Sequence, residues 1–158
     1  GKDKNLNKNS IGIEISNPGH GHGYKKFKKI QIESLINLSK KLIKKYSLKN
    51  KNILGHSDIA PLRKKDPGEN FPWYSIYKKK IGIWHSYKLK TKNPCDDEVS
   101  KKLYKKFFIN LKKFGYSVQH KNCLDKKKII KSFQRRFRPN LVSGKIDHET
   151  YGILKSLN

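Results

Sequence analysis

Isoleucine occupies every second position from 11 to 15, with Gly12 and Glu14 between. This alternation predicts a strand over residues 10–16 with Ile11, Ile13 and Ile15 on one face. Gly12, Glu14 and Ser16 share the other face. The NPG at 17–19 ends the strand, and a glycine-rich loop runs on to Gly23. Further on the period changes. Ile32, Leu35, Ile36, Ser39, Leu42, Ile43 and Tyr46 recur at helical spacing with lysines opposite, which predicts an amphipathic helix. Ile53, Leu54 and Gly55 read as a short buried strand. Turn residues at Asp58, Pro61, the DPG of 66–68 and Pro72 make 56–73 a loop. A short helix around 74–80 comes next, then the IGIW of 81–84.

Apolar residues thin out over 85–97, where Ser, Thr, Asn, Pro and Asp predict a linker. A second helical pattern starts at 98, with Val99, Leu103, Phe107, Leu111 and Phe114, and closes at Gly115. Ile129, Ile130, Phe133 and Phe137 give another helix, stopped near Pro139. Asp147 is placed to cap a last helix through Tyr151, Leu154 and Leu157. Three short helices make a minimal bundle, near the lower size at which a domain folds alone. The pattern shows no internal repeat and no apolar run near the roughly 20 residues of a membrane span.

Composition narrows the picture. The 158 residues allow one ordinary domain or two small ones, and 34% hydrophobic residues permit only a modest core. Lys and Arg number 38 against 12 Asp and Glu, a formal net charge of +26. Such a balance suggests a polyanion partner. Yet arginine occurs only at 63, 135, 136 and 138, and base readout favours the arginine fork, so specific nucleic-acid binding is not expected. A solvated lysine surface, or attraction to an anionic cell-wall polymer, remains. Cys95 and Cys123 sit in no zinc-type spacing; free thiols or one disulfide are both open.

The chemistry concentrates in GHSDIAPLRKKDPG at 55–68. His56 with Asp66 on one loop offers the imidazole nitrogen and carboxylate oxygen that suit zinc. Asp58 competes with Asp66 as the acidic partner, or forms an Asx turn. Glu14, flanked by small Gly12 and Ser16, is either a surface carboxylate or a group aimed into a cleft. Lys64 is either one of many exposed lysines or a cation able to offset charge on a reacting carbonyl oxygen.

SIGIEISNPG at 10–19, the helix to Tyr46, GHSDIAPLRKKDPG and FPW at 71–73 together resemble N-acetylmuramoyl-L-alanine amidases of the AmpD/AmiD type, the amidase_2 family. Residues 98–158, with FGY at 114–116, SFQRRFRP at 132–139 and GKIDHET at 144–150, resemble the three-helix peptidoglycan-binding domain often fused behind them. The resemblance implies an α/β amidase domain over 1–84, with a mixed central sheet and flanking helices, a linker over 85–97, and an all-α unit over 98–158. It implies Zn2+ held by His56 and Asp66, Glu14 as general base and Lys64 beside the oxyanion. The family's first ligand, a His on an earlier strand, has no counterpart before Glu14, so the chain is expected to lack the N-terminal part of the amidase domain. The implied reaction cuts the amide between N-acetylmuramic acid and L-alanine of the stem peptide. The alternative is an inactive fragment or remnant that binds peptidoglycan. The implied partners are peptidoglycan or muropeptides, and a wall-binding unit points to the envelope or periplasm rather than cytoplasmic muropeptide recycling.

Overall fold

The computed structural model describes residues 6–88 and 101–158. Its six α-helices are α1 (Lys29–Tyr46), α2 (His56–Ile59), α3 (Trp73–Tyr77), α4 (Lys101–Phe114), α5 (Cys123–Phe137) and α6 (His148–Leu157). Short 3-10 turns cover Leu6–Lys8 and Asn50–Asn52.

The expected α/β domain with a mixed central sheet does not form. Among the described residues there is no strand and no sheet. Residues 10–16 run as coil, and Ile11 and Ile13 are 53% and 39% exposed. The physical reason is pairing. A helix satisfies its own backbone groups, but an extended segment needs a neighbouring strand, and none of the described residues supplies one. What holds this segment is side-chain contact: Gln31 of α1 donates to Ser16 O at 2.7 Å, and Ile15 packs into the core below. The strand expected at 53–55 is likewise coil, and the loop expected from 56 opens with the single helical turn α2.

α1 covers its lower core only partly. Ile32, Leu35, Ile36 and Ile43 pack towards buried Phe71, Trp73, Ile76 and Ile81, yet no residue of α1 is fully buried. The C-terminal helices make the denser core: Phe107, Leu111, Ile129, Ile130, Phe133, Phe137, Ile153 and Leu154 are buried to 1% exposure or less. α4 packs on α6, and α2 on α5. Trp84 belongs to both clusters and joins them. The start of the expected linker is docked rather than free-standing: Tyr87 packs on the C-terminal core, and the His85 ring bonds Phe137 O at 3.1 Å. Residues 89–97, and with them Cys95, lie outside the described residues; Cys123 is exposed at the start of α5.

Local chemistry sets the ends of these helices. α4 stops because Gly115 takes φ 119°, letting its amide bond Lys112 O at 3.1 Å and the Tyr116 amide bond Leu111 O at 3.1 Å. This is a Schellman end, and it turns Tyr116 inward against Leu111. Asn122 caps α5 by accepting from the Asp125 amide at 2.9 Å, and Asp147 caps α6 by accepting from the Thr150 amide at 2.8 Å. No helix of the described residues is long and apolar enough to cross a membrane.

Candidate metal centre and its supports

The site loop begins where Gly55 ends the coil and α2 starts. The Ser57 amide donates to Asp66 O at 2.9 Å, closing the loop on itself. That closure brings the side chains together: His56 Nδ1 lies 2.9 Å from Asp66 Oδ2. Both are open to solvent, at 43% and 58% side-chain exposure, so an ion can reach them.

The rest of the loop is pinned from outside. Tyr24 donates its hydroxyl to Pro67 O at 2.6 Å and accepts from the Asn70 amide at 2.9 Å. Burial dominates its environment and pushes the phenol up to about 12. The hydroxyl therefore keeps its proton for Pro67. Gly68 is the position where only glycine serves: φ is 82°, and a Cβ there would meet the Tyr24 hydroxyl and His20 Cε1. His20 Nε2 in turn meets Glu69 Oε2 at 3.1 Å and stacks on Tyr24. Burial raises the Glu69 carboxyl, but the His20 hydrogen bond and the nearby His20 and Arg135 charges outweigh it, so the net displacement is downward.

Asp66, not Asp58, is the acidic partner of His56. Asp58 is buried and points the other way, accepting from the Gly55 amide at 2.7 Å, from the Tyr116 hydroxyl at 2.5 Å and from Arg136. Sequence reading misses Arg136 and Tyr116 because their partner lies far off along the chain. The available signal is an arginine inside the apolar face of a helix, since a buried charge needs a partner.

Lys64 is half-buried on the turn after α2, its amide bonded to Ala60 O at 3.0 Å. Glu14 lines an open groove of about 350 Å³ between residues 13–16 and α1, beside Ser16, Gln31 and Ser34.

Comparison with known proteins shows what the loop and its surroundings resemble. Residues 1–69 match Amidase_2, N-acetylmuramoyl-L-alanine amidase. Over nearly its full length the chain is similar to the N-acetylmuramoyl-L-alanine amidase AmiD of Escherichia coli (strain K12), 34% identical over 163 aligned residues, covering 96% of the chain and 58% of that protein. The 1,6-anhydro-N-acetylmuramyl-L-alanine amidase AmpD of Enterobacter cloacae is 44% identical over 64 residues, covering 40% of the chain and 32% of that protein. The solved complex of E. coli AmiD with the substrate anhydro-N-acetylmuramic acid-L-Ala-D-gamma-Glu-L-Lys superposes with a TM-score of 0.75 at 33% identity, covering 86% of the chain and 54% of that one. The chain thus spans 58% or less of the length of these relatives.

The donors of the site loop fit a zinc ion in kind. A neutral imidazole and a carboxylate are ordinary zinc ligands, and here they already converge. In number they fill two places: among the described residues no group of three His, Cys, Asp or Glu forms that could hold a metal. Catalytic zinc ordinarily has three protein ligands and one open position.

Proposed function

We propose that the chain is an amidase that hydrolyses the bond between N-acetylmuramic acid and L-alanine in peptidoglycan stem peptides, with Zn2+ held in part by His56 and Asp66. The observation that carries this reading is the 2.9 Å convergence of His56 and Asp66 within the segment that matches the family. The resemblance to AmiD, which is solved with a muropeptide substrate, supports the substrate class. Zinc, when bound, supplies a Lewis acid and a water whose pKa is drawn towards neutrality.

The chain's own groups have assigned tasks. Glu14 takes the proton of the attacking water and returns it to the leaving amine of L-alanine. Lys64 sets a positive charge near the carbonyl oxygen that becomes negative during attack. Support for these two roles comes from their motif positions, and for Lys64 also from its place on the turn between the two donors. Residues 98–158 serve as the wall-binding unit, and the protein works at the cell envelope. In a second reading the chain binds peptidoglycan without cutting it, which the two-donor site favours.

The test incubates the full chain with anhydro-N-acetylmuramic acid-L-Ala-D-γ-Glu-L-Lys, with added Zn2+ or with a chelator, and reads released tripeptide by mass spectrometry. Release that needs zinc and is lost in His56→Ala and Glu14→Gln supports the amidase. Sedimentation with sacculi without any release supports the second reading.

A further inference from the structure

The C-terminal helices do more than form a separate core; one of them grips the site loop near both ends. At the loop's start, Ser132 of α5 donates to Ser57 O at 2.6 Å. Beside it Arg136 pairs with Asp58, reaches Ile53 O at 2.9 Å and lies 4.2 Å from the centre of the Trp73 ring. Tyr116, set by the α4 end, completes the Asp58 contacts. Just past the loop's other end, Arg135 Nε meets Glu69 Oε2 at 3.3 Å. His56 and Asp66 lie between these grips. Ser132, Arg136 and Asp58 are all buried, in contrast with the exposed donors they flank. Burial pushes the Tyr116 hydroxyl well above its ordinary range, with the Asp58 charge adding to the effect, so it stays a donor.

We infer that Tyr116, Ser132 and Arg136 are positioning residues for the metal centre, holding His56 and Asp66 converged by fixing the backbone through Ser57 and Asp58. The C-terminal unit is then an internal brace of the site as well as whatever it binds outside. For the ion this rests on the amidase reading; for the loop geometry it does not. Small changes in what orients a ligand are felt as changes in affinity, because an ion bound by few groups tolerates little drift in each.

The experiment compares the full chain with Tyr116→Phe, with Ser132→Ala as a second variant, and with Ile153→Val as a control. Ile153 is buried in the C-terminal core at 1% exposure. Two readouts are taken: amide hydrogen exchange and the His56 imidazole 15N signals across 56–66, and Zn2+ affinity by competition with a coloured chelator. Tyr116→Phe is expected to speed exchange in the loop and weaken Zn2+ binding by about tenfold, the scale of one lost hydrogen bond to a buried carboxylate. Ile153→Val should change neither, although both variants lower the melting temperature. Equal effects of variant and control, or no loop effect in either Tyr116→Phe or Ser132→Ala, overturn the brace. If the unmodified chain binds no Zn2+ but loop exchange follows Tyr116, the amidase reading fails and the brace stands. If Zn2+ binds and the variants leave loop and affinity unchanged, the reverse holds.

Discussion

Replacing Arg136 with Met tests whether the two halves of the chain are joined by a buried charge pair. Met keeps most of the side-chain volume, so no large cavity opens, but the guanidinium disappears. Arg136 and Asp58 are 2% and 4% exposed at the side chain, too little for water to take over the lost contacts. Asp58 would keep only the Tyr116 hydroxyl and the Gly55 amide for a buried negative charge. Removing one partner of such a pair costs about 3–5 kcal/mol. Loss of the contact with Trp73 adds about 1 kcal/mol. For a chain of this length, each kcal/mol moves the melting temperature by about 2–4 °C, so the fall is on the order of 10 °C. Urea unfolding followed by far-UV circular dichroism measures it. Adding Asp58→Asn should restore part of the loss, because it removes the stranded charge while the amide oxygen accepts from the Gly55 amide and the Nδ2 group donates to the Tyr116 hydroxyl oxygen. A fall below about 1 kcal/mol, the size of an exposed ion pair, would show that water reaches the pair and would refute the reasoning.

Gly68→Ala should destabilise the site loop by about 2 kcal/mol, since it forces a side chain into φ 82° and against the Tyr24 hydroxyl; urea unfolding and loop hydrogen exchange both read it. His85 gives a pH dependence: burial lowers its pKa below 6.5, opposed by hydrogen bonds to the Phe137 and Tyr87 backbones. The unfolded chain therefore binds the proton more readily, so this contribution is full above pH 6.5 and is lost as pH falls through the folded value. His85→Gln should flatten that part of the stability profile. Asp147→Ala removes the α6 cap and one partner of buried Arg138, and should cost about 3 kcal/mol by thermal unfolding.

Periodicity and end signals were enough to locate the longer helices, though not the single turn α2. The apolar stripe from Ile32, Gly115 after Phe114, and Asp147 before α6 all act within a few residues, and a helix closes its hydrogen bonds within that same range. The meeting of His56 and Asp66 was legible for a similar reason, since they are ten positions apart on one turn-rich segment. The alternation of Ile11, Ile13 and Ile15 states only a preference for extended backbone. Whether that becomes a sheet depends on a partner strand elsewhere in space, and tertiary structure left residues 10–16 without one among the described residues. The role of Asp58 was decided the same way. Its spacing from His56 made it a rival ligand, but the partners that claim it are Tyr116 and Arg136, which lie 58 and 78 positions away. Local sequence determined which segments form helices and which polar side chains the site loop carries. Only packing decided which carboxylate faces solvent with His56 and which is buried to tie the helices to the loop, because a buried charge goes where its counter-charge is, and that is a property of the folded chain.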